Sequence, residues 1–285
     1  MRLLKTVPSL AAAMMTAGAA FAQDEVLSEL PIIGAPTPGG IAFQPAVTSV
    51  SRGIHWLDNM LLVIITLIVL LVTALLAIVA FKFSARRNET PARFTHNTTL
   101  EIAWTIVPVV ILVIIGSFSL PQLFRQLEIP DADLTIKATG YQWYWGHEYP
   151  EQGIYFESFM LPEEELEAAG YPPEVHLLAT DTAVVVPVGA VVKLQVTAAD
   201  VIHSWKIPAF GVHIDAIPGR LNESWFRVEE PGVYFGQCSE LCGIDHSFMP
   251  ITVKAVPQEE FDAWLEAATA RYAEGGATIQ VAATE

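Results

Sequence analysis

The sequence contains few cysteines and few basic residues. Its 285 residues include two cysteines, and 15 lysines and arginines stand against 31 acids, a net charge of −16. A surface of that sign repels nucleic acid, so no nucleic-acid partner is expected. The chain has no Cys-x-x-Cys-His run, which excludes an attached c-type haem. Hydrophobic residues make up 52% of the chain, which is high for a soluble protein and predicts membrane segments.

The charge is unevenly distributed along the chain. Residues 127–285 contain 25 acids and 7 bases, a net charge of −18, whereas residues 1–126 have a net charge of +2. The acidic half is either a solvated surface that keeps a domain soluble or a field that steers a basic partner.

The first half of the chain has the features of a membrane anchor. Two early bases, a stretch of small apolar residues and an Ala-Phe-Ala motif predict a signal peptide over residues 1–22. Two apolar runs follow, at 60–81 and 102–120, each long enough to cross a bilayer as a helix. The connecting loop contains four bases, and positive loops stay in the cytoplasm. The N-terminus and the chain after about residue 122 should therefore lie outside.

Glu101 stands at the start of the second apolar run. An acid at this position is either a favourable partner of the helix dipole or a proton collector at the membrane boundary. The residues alone favour the dipole interpretation.

The second half of the chain predicts a β-sandwich. Short β-branched and aromatic runs are separated by turn signals such as PVG at 187–189 and EPG at 230–232. Such a pattern indicates an all-β sandwich or barrel of Greek-key type. A terminal amphipathic helix follows, with Phe261, Trp264 and Leu265 on one face.

Both cysteines stand in the run GQCSELCGIDHSFMP at 236–250, together with His246 and Met249, and His203 lies upstream at the end of a predicted strand. The oxidising compartment favours a disulfide, and a set of two cysteines and two histidines also suits zinc. Neither a disulfide nor a zinc site needs the thioether of Met249. Thiolate, imidazole and thioether together are the ligands of electron-transfer copper, and two cysteines are enough to bridge two copper ions.

At these residues the chain closely resembles subunit II of haem-copper cytochrome c oxidase, through IHSWKIPAFGVHIDAIPGRLNESWF and GVYFGQCSELCGIDHSFMPITV. The resemblance covers nearly the whole chain. It implies a cupredoxin-like sandwich that holds a binuclear copper centre, CuA, and a magnesium ion shared with subunit I through the Glu240 side chain. The implied copper ligands are Cys238, Cys242, His203, His246, Met249 and the backbone carbonyl of Glu240.

The stretch GYQWYWGHEY also matches this family. The match implies that Trp143 is the exposed residue at which an electron arrives from cytochrome c. Strand alternation would put Trp143 and Trp145 on one face and Tyr144 on the other. The acidic half of the chain would attract a basic cytochrome c. The acids that match the family's docking positions are Glu148, Glu157, Asp181 and Asp200.

Two further residues gain an interpretation from the resemblance. The stretch HNTTLEIAW matches the start of the family's second helix, which implies that Glu101 lies at the mouth of a proton pathway into subunit I. This reverses the preference for the dipole interpretation. His213 stands where many relatives have lysine and is interpreted as an interface or surface residue.

The predicted protein is a membrane-anchored all-β chain, the electron-accepting subunit of a bacterial cytochrome c oxidase, with oxygen reduction and proton pumping in subunit I. Its expected partners are subunits I and III, a basic cytochrome c and the lipid bilayer of the inner membrane, with both termini on the periplasmic side. Its predicted divisions are a signal peptide (1–22), an external segment (23–57), a transmembrane hairpin (58–124), a cupredoxin-like domain (125–256), and a C-terminal helix and tail (257–285).

Three alternatives remain at this point. A membrane-anchored copper chaperone would need the ligands and the anchor but not Trp143, Glu240 or Glu101. A structural subunit would have a Cys238–Cys242 disulfide. The copper domain of nitrous oxide reductase would have similar ligands, but that enzyme has no two-helix anchor of this kind.

Overall fold

The computed structural model describes residues 27, 29–90 and 92–273, so the predicted signal peptide lies outside the described residues. The chain forms two compact units. One is helical and comprises Gly53–Leu127, and the other is rich in β-strands and comprises the described residues up to Arg52 and from Glu128 onward.

Two long helices follow the apolar runs. Helix α1 is Ser49–Lys82 and helix α2 is Thr98–Leu127, and both are long and apolar enough to cross a membrane. Near one end of the helical unit the rings of Trp56 and Phe118 make an edge contact with centroids 5.3 Å apart. The predicted transmembrane hairpin is therefore present as two helices.

Helix α1 begins inside the predicted external segment (23–57), because its first turn is capped by a polar side chain. The Thr48 hydroxyl accepts a hydrogen bond from the Ser51 amide at 3.0 Å, as an N-cap residue does. The same hydroxyl donates to the Phe210 carbonyl at 2.7 Å. An apolar run locates the middle of such a helix but not its polar first turns.

The β-rich unit contains eleven strands among the described residues, in two sheets. One sheet has the order β5-β11-β10-β7-β8 with β1 added beside β10, and the other has the order β4-β3-β2-β6-β9. The strands are β1 Ile32–Gly34, β2 Leu134–Tyr141, β3 Tyr144–Tyr149, β4 Ile154–Ser158, β5 Val184–Pro187, β6 Val192–Ala198, β7 His203–Ile207, β8 Val212–Ala216, β9 Asn222–Phe226, β10 Gly232–Cys238 and β11 Pro250–Val256.

Burial along the strands explains how the two sheets pack. Strands β2 and β6 alternate between buried and half-buried residues, as expected of strands with one face on the core. Strand β10 is buried on both faces, because Val233 and Phe235 pack against a second apolar cluster that includes Leu161 and Tyr171. The predicted β-sandwich is confirmed.

The chain ends, among the described residues, in helix α3, Gln258–Ala273. Phe261 and Trp264 are buried and Leu265 is half-buried, so the predicted apolar face is the one that packs on the domain. The Trp264 ring lies 5.3 Å from that of Tyr149 in β3. The order of elements, a helical hairpin, a sandwich and a short C-terminal helix, is the predicted one.

Candidate metal centre

The two cysteines lie at the end of β10 and in the loop that leads to β11. Cys238 is the last residue of β10, where it pairs with Trp205 of β7. That register brings His203, the first residue of β7, to the same place. Ligand atoms of His203, Cys238 and Cys242 all lie within 4.8 Å of one another, and all three residues are buried.

The remaining predicted copper ligands surround this cluster. The two Sγ atoms are 3.9 Å apart, and both thiols are free. Cys242 Sγ lies 3.5 Å from His246 Nδ1 and 3.6 Å from Met249 Sδ. Cys238 Sγ lies 3.3 Å from the Glu240 carbonyl oxygen. The structure therefore brings the whole predicted ligand set together.

His203 is held by groups on both sides of its ring. Its Nδ1 faces Cys238 Sγ at 3.9 Å, and its Nε2 lies 2.9 Å from Asp200 Oδ1. A carboxylate on the outer nitrogen fixes the orientation of a metal-binding imidazole. On the ring face, a Cβ atom on Gly140 would lie 2.8 Å from His203 Cδ2, so only glycine leaves the ring its space.

The proton affinities of the two thiols diverge. Burial raises the pKa of Cys238, but hydrogen bonds from His203 and from neighbouring backbone groups outweigh it and lower the pKa to about 7. Burial and the charge of Cys238 raise the pKa of Cys242 to about 12. Near neutral pH the Cys238 thiol is therefore about half ionised and the Cys242 thiol is protonated, and a bound metal would release the remaining protons.

The donor set fits copper better than the alternatives. Two thiolates, two imidazoles and a thioether are soft or borderline ligands, and tetrahedral zinc sites do not use the thioether sulfur. Met249 is buried, and its carbonyl accepts a hydrogen bond from the Trp145 indole at 3.2 Å, which fixes the backbone at that predicted ligand. The chemistry of these residues suits a binuclear copper centre.

Trp143 lies beside the cluster in the turn between β2 and β3. This turn precedes β3, so Trp143 is half-buried whereas Trp145 is fully buried. Trp143 nevertheless packs against the core cluster that contains Trp145, and Tyr144 does not belong to that cluster. The Trp143 ring packs on Gly243, where a Cβ atom would lie 2.9 Å from Cζ2 of that ring. Tyr144 turns away and stacks on Tyr141, with ring centroids 4.7 Å apart.

Gln142 is a site residue that the sequence did not reveal. Its side-chain amide donates to the Cys242 carbonyl at 2.9 Å, and its backbone amide donates to Asp200 Oδ2 at 2.7 Å. The residue before Trp143 is thus bonded both to the cysteine loop and to the carboxylate behind His203. Nothing in the local sequence signals these contacts, since they join residues far apart in the chain.

The four predicted docking acids differ in environment. Glu148 forms an ion pair with Lys137 at 2.9 Å, and Glu157 is exposed on the same face of the adjacent strand. Asp181 is half-buried, and burial raises the pKa of its carboxyl group while it accepts the Phe159 amide at 2.8 Å. Asp200 is bonded to His203 as described above.

Three other predicted residues have defined positions. The Glu240 side chain is exposed, and the structure groups it with no other potential metal ligand among the residues it describes. His213 is exposed, as predicted, and its Nε2 forms a 2.8 Å hydrogen bond with the Ser239 hydroxyl. Glu101 accepts the Asn97 backbone amide at 3.2 Å in the first turn of α2.

Comparisons with known proteins agree with this architecture. A family model for the periplasmic domain of cytochrome c oxidase subunit II matches residues 134–256, and one for its transmembrane domain matches residues 36–122. Cytochrome c oxidase subunit 2 of Cereibacter sphaeroides is 57% identical over 272 residues, covering 90% of this chain and 89% of the relative.

Further relatives extend the similarity. A probable cytochrome c oxidase subunit 2 of Rickettsia bellii is 48% identical over 231 residues, covering 81% of this chain and 84% of its own. The crystal structure of the periplasmic domain of subunit II of cytochrome oxidase from Bradyrhizobium japonicum is 50% identical, with a TM-score of 0.46. It covers 51% of this chain and 99% of that one.

Proposed function

The chain belongs to the cytochrome c oxidase subunit II family, and we propose that it is the subunit through which electrons enter the oxidase. It is a membrane-anchored subunit with two spans and works together with subunit I. In the proposed function it accepts electrons from cytochrome c at a CuA centre and passes them to haem in subunit I. Oxygen reduction and proton pumping take place in that partner.

The observation that carries this proposal is the convergence of the six predicted ligands. Cys238, Cys242, His203 and His246 would hold the copper pair, and Met249 and the Glu240 carbonyl would be its weaker ligands. A copper pair bound there supplies a one-electron carrier whose unpaired electron is shared by both metals. The residues are already held by the sheet and by Asp200, Gln142 and Trp145, so little protein rearrangement accompanies a change of charge.

Trp143 is the proposed point of electron arrival. Its ring is only partly buried, and it packs on Gly243, the residue that follows Cys242. Gln142 adds a hydrogen bond from the same turn to the Cys242 carbonyl. A partner that touches the Trp143 ring is therefore connected to the cysteine loop through van der Waals contact and through one hydrogen bond.

The acidic surface is the proposed dock for a basic cytochrome c. The net charge of −18 over residues 127–285 supplies the long-range attraction. Glu148 and Glu157 lie on one face of β3 and β4, in the hairpin that begins beside Trp143. Asp181 and Asp200 use oxygens in internal hydrogen bonds, so their part in docking is through charge.

Other parts of the proposal concern the boundary with subunit I. The exposed Glu240 side chain would share a magnesium ion with subunit I, since it leaves the cluster while its carbonyl faces Cys238. Glu101 would lie at the mouth of a proton pathway into subunit I; in the structure its carboxylate caps α2. Subunit III would be a further partner.

The proposed organisation keeps the sequence divisions. These are a cleaved signal peptide (1–22), an external segment (23–57), the hairpin (58–124), the cupredoxin-like domain (125–256) and the C-terminal helix and tail (257–285). The chain would reside in a bacterial inner membrane. The basic loop between α1 and α2 would lie in the cytoplasm and both termini in the periplasm.

Electron paramagnetic resonance of the copper-loaded full chain in detergent tests the proposal. Two equivalent copper nuclei split the signal into seven lines, and a single nucleus splits it into four. We expect seven lines from the wild-type chain and their loss in Cys242→Ser, with Ser247→Ala, an exposed change in the same loop, as the matched control. A four-line wild-type spectrum would contradict the bridge. Absence of copper binding together with a Cys238–Cys242 disulfide would favour a structural subunit.

A further inference from the structure

The end of helix α1 forms a groove that is apolar at its floor and basic at its mouth. The groove has a volume of about 540 Å³ and is lined by Ala77, Ile78, Phe81, Lys82 and Arg87. All five residues belong to the helical unit. None of them contributes to the copper site or to electron transfer as proposed above.

Helix geometry and a tight turn create this arrangement. Phe81 and Lys82 lie four residues after Ala77 and Ile78, so the four side chains form two adjacent columns on one face of α1. After Lys82 the chain turns, and the amides of Arg87 and Asn88 both donate to the Ser84 carbonyl, at 2.9 and 3.0 Å. The turn brings Arg87 back alongside the last turn of the helix.

The bases at the mouth are not neutralised by neighbouring acids. The sequence has no acidic residue between Asp58 and Glu89. Within residues 27, 29–90 and 92–273, the ion pairs of the structure include none with Lys82, Arg86 or Arg87. The Lys82 ammonium lies 5.7 Å from the Phe83 ring, a contact that leaves its charge in place. The groove therefore carries positive charge directly above an apolar surface.

We propose that this groove binds one phospholipid with an anionic headgroup. Lys82 and Arg87 hold the phosphate, and the first part of an acyl chain lies on Ala77, Ile78 and Phe81. The charge is complementary to a phosphodiester, and basic pockets at the end of a membrane helix suit such headgroups. Since α1 is long and apolar enough to cross a membrane, its last turn lies at the depth where phosphates are found. The inference does not depend on the copper site.

Native mass spectrometry of the full chain and of the purified oxidase tests this site, by titration with phosphatidylglycerol and, separately, with zwitterionic phosphatidylcholine. We expect the wild-type chain to prefer phosphatidylglycerol. The double variant K82Q/R87Q should weaken its affinity about thirtyfold, because each of the two bases that hold the phosphate contributes about a factor of five. The charge-matched control R86Q/R93Q removes two bases that do not line the groove and should leave the affinity within about threefold.

The apolar floor is tested separately by Ala77→Phe, which fills the groove without changing charge. It should reduce phosphatidylglycerol binding as well, and a normal affinity would overturn the proposed acyl contact. Equal losses in the two double variants would show a diffuse field instead of a site and would overturn the proposal. So would an assembled oxidase that retains the same lipids with and without K82Q/R87Q, because the neighbouring subunit would then cover the groove.

Discussion

His147 shows how a single buried residue couples this fold to pH. The side chain is 1% exposed, with Nδ1 3.1 Å from the Ser158 hydroxyl and Nε2 accepting the Trp205 indole N–H at 3.5 Å. Burial lowers its pKa to about 3. The folded state thus keeps this imidazole neutral in a range where the unfolded chain protonates it.

The pH dependence follows from that difference. Because the folded pKa is lower than the unfolded value of 6.5, the unfolded state binds the extra proton as the pH falls below 6.5. The free energy of unfolding should then fall by up to about 1.4 kcal/mol per pH unit, until the pH approaches 3. In His147→Gln this part of the slope should be absent.

Melting curves of the full chain in detergent from pH 7.5 to 5 measure this slope, with the exposed His96→Gln as control. Equal slopes in all three chains would contradict the assignment.

His213 gains a structural role at the same scale. Its 2.8 Å hydrogen bond to Ser239 holds the residue between Cys238 and Glu240, which in turn fixes the direction of the Glu240 carbonyl. A hydrogen bond of about 1 kcal/mol corresponds to about a fivefold change in rate or affinity.

We therefore expect His213→Phe and Ser239→Ala each to speed copper loss to a chelator about fivefold. His213→Gln, which keeps a hydrogen-bonding group, should stay close to wild type. Stopped-flow measurement of copper removal from the full chain gives the rates. An unchanged rate in His213→Phe would show that the bond does not hold the loop.

At the scale of elements, the cysteine loop and the turn that carries Trp143 are fitted to each other. Gly243 has a φ of +133°, a backbone conformation that side chains rarely adopt, and its missing Cβ leaves room for the Trp143 ring. Gly243→Ala should cost about 1–3 kcal/mol through backbone strain and displace the ring. Electron transfer from cytochrome c should slow while the cysteine and histidine ligands remain.

The matched control for that prediction is Gly153→Ala. Gly153 also has a positive φ, +66°, but a Cβ there has open space within 4 Å. Gly153→Ala should lower the stability through backbone strain but leave the rate of electron transfer from cytochrome c unchanged. The rate of copper reduction by cytochrome c separates the two effects, and equal rates in both variants would refute the coupling between loop and turn.

Helix α3 supplies a second prediction about elements. Trp264 is 1% exposed and packs against Tyr149 and Phe261. Trp264→Ala should lower the free energy of unfolding of the β-rich unit by about 3–5 kcal/mol, the usual cost of removing a large buried ring. Glu266→Ala, on the exposed side of the same helix, should change it by less than about 0.5 kcal/mol. Thermal melting followed by tryptophan fluorescence measures both, and a small effect of Trp264→Ala would mean that α3 docks only loosely.

The elements also show what the sequence could and could not predict. Apolar runs and turn signals located α1, α2, α3 and most strands. These could be predicted because buried positions recur in the sequence with the period of the helix or strand. The start of α1 was missed, since it depends on Thr48, a single side chain that accepts a backbone hydrogen bond. The start of α2 was located by the stretch HNTTLEIAW, in which the Asn97 side chain accepts the Leu100 amide. The ligand set was predictable because five of its six members lie within 238–249. The contact of Gln142 with the cysteine loop was not predictable, because Gln142 and Cys242 are 100 residues apart in the chain.

At the scale of the whole molecule, the acidic charge should govern the encounter with a basic cytochrome c. We expect the second-order rate of electron transfer to fall about tenfold or more as ionic strength rises from low to physiological values. Glu157→Gln should lower the rate and flatten the salt dependence. Glu163→Gln removes the same charge from an exposed position outside the predicted docking set and should do so less. Stopped-flow measurement of the electron-transfer rate across a series of salt concentrations tests this. Identical salt dependence in the two variants would contradict a defined docking site.

The way in which the proposed ligands are divided among strands has a consequence for biogenesis. His203 begins β7 and Cys238 ends β10, and the pairing of Gln237 with Lys206 and of Cys238 with Trp205 brings them together. A nascent or partly folded chain can offer the sulfur atoms of the 238–249 loop, but it lacks His203 until these strands have paired. With the proposed ligand set, full metallation would therefore be a late event, and copper could be bound by all the ligands only after the two strands have paired.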